Sequence, residues 1–463
     1  MPLTLDVTNC LSPHLDGRGI DPQRLRGPLA EGFARAHAQV AARREAGDMG
    51  FFDLPQDREG VRRIQEVADS FGQWFESLVV LGIGGSSLGT LTLRDALLGP
   101  HWNLGDEERR EYYPRLFVLD NADPVSLTDL MGRLDLPKAL FVVVSKSGST
   151  AETMAQYLVV EEALAAAVGE EKARGHLLFI TDPESGVLRA ISREKSIPAL
   201  PVPSNVGGRF SVLSAVGLLP AAVVGINVVE LLEGAAEMVQ RCSTPELTRN
   251  PAGLFATLLH ALHIEQGMPI HVMMPYADRL RSFSFWFQQL WAESLGKAVD
   301  LEGNVVNTGP TPLPALGATD QHSQVQLFME GPRDKVVCFV SVAGDGVDPV
   351  AIPHRHPEHP SLSYLGGHSL AGLLDAERRA TAEALRRRGR PSLEIGLSGL
   401  NARNLGGLLM FMQLATVYAG ALYGVDPLDQ PGVELGKELT YGLLGRKGFD
   451  APALGGGDPD WRL

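Results

Sequence analysis

Three times before residue 184 the chain repeats one local pattern: a short apolar run, a turn of small or hydroxylated residues, and a helical stretch. Residues 78–83 run into Gly84-Gly85-Ser86-Ser87. Residues 139–144 run into Ser145-Lys146-Ser147-Gly148-Ser149-Thr150, with a helix starting near Ala151. Residues 177–180 run into Thr181-Asp182-Pro183. Such alternation is the pattern of an α/β fold with mainly parallel sheets. After a connecting region it returns, with apolar runs at 269–274, 336–342 and 393–397 and helical stretches at 281–295, 369–388 and 401–423. The chain therefore predicts two strand–helix layers of similar build, and its 463 residues suit two domains plus extensions.

Composition narrows function more than fold. Hydrophobic residues make up 44% and charged residues 21%, the profile of a globular chain with ample core. Acidic side chains number 55 against 41 basic, a net charge of −14, whereas a nucleic-acid partner would call for a basic excess. An anionic ligand then needs a local field opposing the global one. Cys10, Cys242 and Cys338 offer neither a disulfide framework nor a zinc spacing, which fits a reducing compartment. Residues 1–20 contain Asp6, Pro13, His14 and Asp16 and no apolar segment, so no signal peptide is expected. Residues 211–229 carry no charge, yet Gly217, Pro220 and Gly225 interrupt them, as in a broken, buried helix rather than a membrane span. The expected setting is cytoplasmic, with no membrane partner.

Two turns compete as a phosphate loop. From Gly82, a dinucleotide fingerprint would need glycine at position 87, which is Ser87; a nucleotide P-loop would need lysine after Gly89, which is followed by Thr90. Neither nucleotide is supported. The second turn places Ser145, Ser147, Ser149, Thr150 and Lys146 at a strand-to-helix junction, where hydroxyls and free N–H groups suit a phosphate monoester. The plainer alternative is that they only cap the helix.

Further motifs follow in fixed order: Val206-Gly207-Gly208-Arg209-Phe210-Ser211, Trp291-Ala292-Glu293-Ser294-Leu295-Gly296-Lys297, and Asp429-Gln430-Pro431-Gly432-Val433-Glu434-Leu435-Gly436-Lys437. With the Ser/Thr turn they resemble the glucose-6-phosphate isomerase family, in its shorter bacterial form, from about residue 82 to 437. The resemblance implies two tandem doubly wound sugar-isomerase domains, a homodimer with a shared active site, and no metal or other cofactor. It divides the chain into an N-terminal helical extension (1–50), a first domain with the phosphate loop (51–210), a helical connector (211–255), a second domain (256–425) and a C-terminal segment with an active-site lysine and a flexible tail (426–463). It also implies that Ser145, Lys146, Ser147 and Thr150 hold phosphate, that Gly85, Ser86, Gln289 and Gln430 contact the sugar, and that Arg209, Glu293, His322 and Lys437 act in catalysis. Leu428 and Leu295 depart from the usual aromatic and polar residues, and the loop Gly317-Ala318-Thr319-Asp320-Gln321-His322 matches loosely.

The chemistry explains the residue types. An aldose becomes a ketose when one carboxylate carries a proton between adjacent carbons. Glu293 stands in a helix holding Phe283, Phe285, Trp286, Phe287 and Trp291, which suggests a water-excluding surround; the alternative is a surface Glu paired with Lys297 at i,i+4. Arg209 would stabilise the developing oxyanion, and a histidine suits ring opening near neutrality. Interconversion of glucose 6-phosphate and fructose 6-phosphate is the expected reaction. A dual phosphoglucose/phosphomannose isomerase, or a regulator that senses sugar phosphates without turning them over, are the alternatives.

Overall fold

The computed structural model describes residues 3–71, 74–344, 350–457 and 459–461. The chain opens with a short strand, β1 (Leu3–Asp6), that joins the second of two large sheets. The first sheet contains β2 (Ser77–Leu81), β3 (Arg115–Leu119), β4 (Ala139–Val144), β5 (Leu177–Thr181) and β6 (Ala199–Pro201), in the order β3-β2-β4-β5-β6, every pair parallel. β2, β4 and β5 are buried at every position, because both faces are covered. Alternate residues serve opposite sides: Val80, Val142 and Ile180 face the main core, and Val79, Val143 and Phe179 face a smaller cluster around Tyr157.

The second half adds β7 (Ile270–Pro275), a hairpin of β8 (Lys297–Val299) and β9 (Val305–Thr308), β10 (Thr311–Pro314), β11 (Lys335–Val342) and β12 (Ser392–Leu397). Its sheet runs β1-β12-β11-β7-β10, parallel except for β1, which pairs antiparallel with β12 from Leu3 opposite Leu397 to Asp6 opposite Glu394. The expected α/β class with mainly parallel sheets is therefore observed. The region 1–50, expected to be helical, begins with this strand before reaching its helix, Pro28–Glu45.

The charge-free region takes in the end of a 3₁₀ turn (Gly208–Leu213), a helix containing Pro220 (Ala215–Val223) and the start of another (Val228–Arg241), nearly all of it buried. One apolar cluster extends from Leu78 and Val80 of the first sheet through Leu218 and Leu231 to Cys338 and Ile395 of the second, so the 211–255 region is core to both layers. Helix Ala402–Tyr423 crosses this core. It is long and apolar enough to span a membrane, but 89% of its apolar window is buried inside the protein. All three cysteines are buried and unpaired, and burial pushes the Cys10 and Cys242 thiols up to about 12.

Two glycines set the closest helix approach. A Cβ on Gly234 would lie 1.7 Å from the Arg403 carbonyl oxygen, and one on Gly406 would lie 1.8 Å from that of Leu231. The backbones of helices Val228–Arg241 and Ala402–Tyr423 touch there. Gly406→Ala is expected to destabilise the protein by about 1–3 kcal/mol through overpacking, read as a lower urea midpoint. An unchanged midpoint would mean the helices separate without cost.

Candidate active site

The neighbours of β2 decide where a ligand can enter. The chain moves from β2 to β3 on one side and returns to β4 on the other, which opens a crevice at the strands' carboxyl ends. The loops leaving β2 and β4 line a cleft of ≈ 860 Å³ there. Gly85, Ser86, Lys146, Ser147, Thr150, Arg209, Gln289, Glu293, Gln430 and Lys437 all line it, joined by Glu152, Asp182, Ser185 and Tyr441, which sequence reasoning did not single out. Gly85 is needed for closeness: a Cβ there would stand 2.3 Å from the Gly208 carbonyl oxygen, so only glycine lets the first loop meet the Arg209 turn.

The second loop does more than cap a helix. Thr150 is the N-cap of helix Ala151–Val168 but makes no side-chain capping bond. Its Oγ1 lies 2.9 Å from Ser145 Oγ, and Ser145, only 2% exposed, stands behind the loop rather than on the cleft. Gly148 takes φ +63° to make the turn. Ser147 accepts from the Ser149 N–H and hydroxyl, both at 3.3 Å. Lys146 donates to the Ser204 and Val206 carbonyls at 2.7 and 2.8 Å, tying this loop to the segment that carries Arg209. Burial lowers the Lys146 pKa while Asp182 pulls it back. The Ser147 hydroxyl, which accepts in these bonds and keeps its own proton to donate, and the first turn of a long helix make this end of the cleft a cradle for an anion.

Opposite the cradle, Arg209 is 4% exposed and spends its donors on four acceptors. Nε donates to Ser294 Oγ at 2.7 Å, Nη1 to Gln430 Oε1 at 2.6 Å, and Nη2 to the Pro427 and Asp429 carbonyls at 2.6 and 2.9 Å. Nη1 also lies 3.7 Å from Glu293 Oε2, while Gln289 Nε2 donates to Glu293 Oε1 at 3.2 Å. The carboxylate is thus fixed from both sides. Burial lowers the Arg209 pKa; Glu293, Asp429 and Asp426 oppose that fall.

One alternative and one expectation about this helix fall. Lys297 does not pair with the Glu293 side chain; its Nζ donates to the Glu293 and Ser294 carbonyls at 2.7 and 2.9 Å. The buried aromatics do not surround the carboxylate either. Phe283, Trp286, Phe287 and Trp291 point into the main core, and the Trp291 N–H donates to His271 Nδ1 of β7 at 3.0 Å. They anchor the helix, while the Glu293 side chain remains 33% exposed on the cleft. Leu295 also packs in that core, and Leu428 packs against it.

Lys437 lies on helix Glu434–Leu443, with Nζ 2.7 Å from Glu434 Oε1 at the cleft mouth. His322 is not in the cleft of its own chain. It is the exposed last residue of the turn Thr319–His322, which Asp320 braces by accepting the Leu316 N–H at 2.7 Å. Ser294, Lys297 and Asp429 were within reach of sequence reasoning, since each sits inside a quoted motif.

A cleft at the switch point of a parallel sheet, with an anion cradle at one end and a carboxylate–guanidinium couple at the other, defines an α/β protein built around a small phosphorylated ligand. The pattern of the family described as phosphoglucose isomerase matches residues 63–447, and the chain belongs to that family. It is 43% identical over 451 residues to the glucose-6-phosphate isomerase of Carboxydothermus hydrogenoformans, covering 97% of this chain and 96% of that one. Against the same-named protein of Thermus thermophilus it is 41% identical over 415 residues, 89% of this chain and 94% of that one. Among solved structures, a hypothetical protein of Thermus thermophilus superimposes with TM-score 0.84 at 39% identity, covering 96% and 99% of the two chains. A glucose-6-phosphate isomerase of Chlamydia trachomatis gives TM-score 0.74 at 27% identity, over 84% and 73%.

Arg209→Lys keeps the charge but loses the planar fork, leaving buried acceptors unpaired. At about 1–3 kcal/mol for each unpaired group, unfolding free energy should fall by about 2 kcal/mol or more in a denaturant titration. A variant as stable as its parent would show that the fork does not hold the cleft together.

Proposed function

We propose that the protein interconverts glucose 6-phosphate and fructose 6-phosphate, an intramolecular oxidoreduction. The observation that carries this reading is Glu293, held between Gln289 and Arg209 in one cleft with the hydroxyl loop. Ser147, Thr150 and the first turn of helix Ala151–Val168 take the phosphate, with Ser145 supporting Thr150 from behind. That fixes one end of the sugar and brings the carbon chain to Glu293. Glu293 removes the C2 proton and returns it at C1 through a cis-enediolate. Arg209 faces the oxygen on which charge gathers, already oriented by its four acceptors. Gly85, Ser86 and Gln430 contact the sugar. Only a proton moves between substrate carbons, so the step itself calls for no redox cofactor.

A regulator would need the phosphate cradle but has no use for a carboxylate fixed against a guanidinium. The two five-stranded sheets support the tandem doubly wound sugar-isomerase arrangement, and the glycolytic reaction accords with a cytoplasmic setting.

Ring opening assigns a role to the exposed His322. In this reading the enzyme is a homodimer, and the histidine enters the partner's cleft to work with Lys437 on the ring and anomeric oxygens.

Two experiments test these assignments. Glu293→Gln preserves shape but removes basicity, so kcat should drop by about 10²–10⁴ with KM little changed. Exchange of the C2 proton with solvent at the parent rate would remove Glu293 from its role. For the shared site, Glu293→Gln and His322→Ala chains are refolded together. Random pairing makes half the dimers mixed, each with one intact site, so about a quarter of parental activity should return. No recovery, despite mixed dimers demonstrated by mass, would place both residues in one chain's site.

A further inference from the structure

Lys297 is a buried cation that the reaction above does not use. It is 8% exposed and follows the last turn of the helix that bears Glu293. Two of its N–H groups go to the Glu293 and Ser294 carbonyls at the end of that helix. Its third direction is toward Asp429, whose Oδ1 lies 3.6 Å away. Asp429 also offers its backbone carbonyl to Arg209 Nη2, and Ser294 offers its hydroxyl to Arg209 Nε. The same three residues therefore recur in a closed circuit: helix end, lysine, Asp429 loop, guanidinium, and back to the Glu293 carboxylate.

We propose that Lys297 is a positioning residue for the isomerisation: it clamps the Glu293 turn of the helix to the 426–430 loop, so that the carboxylate and Arg209 keep their mutual register. The proposal rests on Glu293 being the base. A cation at a helix C-terminus is favourable by itself, which accounts for the pair of carbonyl contacts. It does not account for the burial, which opposes the charged form. The charged groups around it are Arg209 from the Gly208–Leu213 turn and Asp429 and Asp426 from the loop; Glu293 meets it only through the backbone carbonyl. Asp426 is in turn held by Arg43 at 2.9 Å, so the loop end of the clamp is anchored to helix Pro28–Glu45.

The test compares Lys297→Met, Lys297→Arg and Asp429→Asn with the full-length parent. Lys297→Met should lower kcat for fructose 6-phosphate by about 10- to 100-fold while KM moves by less than about threefold, because the phosphate loop is untouched. Loosening the Arg209 contact with the Glu293 carboxylate should also raise the apparent pKa of the acidic limb of the kcat/KM profile. Lys297→Arg should recover part of kcat. Asp429→Asn, at an exposed side chain, should give a smaller drop in kcat with unchanged melting temperature. If Lys297→Met does not fold, the kcat of the other two variants decides the matter. Parental kcat in the folded variants, or a loss that follows melting temperature with no shift of the acidic limb, overturns the clamp and leaves a plain helix cap. Those results leave Glu293 in place, whereas an active Glu293→Gln removes the base and the clamp's purpose together.

Discussion

A buried guanidinium imposes an obligation on every segment near it. Arg209 is almost fully withdrawn from water, and a charge in that position is tolerable only when its donors are met. The acceptors come from residues 294, 427, 429 and 430, on a helix and a loop remote in sequence from the Arg209 turn. Satisfying one side chain therefore brings three distant stretches to one place, and the carboxylate follows because Glu293 precedes Ser294. Gly85 adds the fourth stretch by allowing the first loop to reach Gly208.

That junction needs a rigid base, and the core supplies one. A single apolar cluster underlies both sheets, with helix Ala402–Tyr423 running through it. The aromatic face of helix Arg281–Leu295 sinks into this cluster and leaves the opposite face, with Gln289 and Glu293, on the cleft. Burial of one face sets the direction of the other.

The elements that were legible in the sequence are the ones whose surroundings are uniform. Strand β4 and helix Arg281–Leu295 appear with the expected bounds, since a fully buried strand or a long helix carries its pattern throughout. Strand β10 (TPLP) was not, because two prolines disguise a strand that survives only at a sheet edge. Most expected site residues reach the cleft, as motif spacing reports on loops fixed by strand ends. What spacing could not report is direction. It could not tell that Lys297 turns to backbone carbonyls, that the aromatics turn inward, or that Ser145 stands behind Thr150. Those outcomes depend on which face of an element is buried by a partner distant in the chain.

The placement of β1 has a consequence for synthesis on the ribosome. Its four residues are made long before their partner strand, which spans residues 392–397. While the residues between them are being made, β1 has no edge to join, and the second sheet closes only once β12 has emerged. Closing so long a loop is slow, and the waiting strand stays open to wrong pairings meanwhile. A strand made early is thus among the last to be locked, so the finished sheet holds a physical record that the chain as far as residue 397 was present.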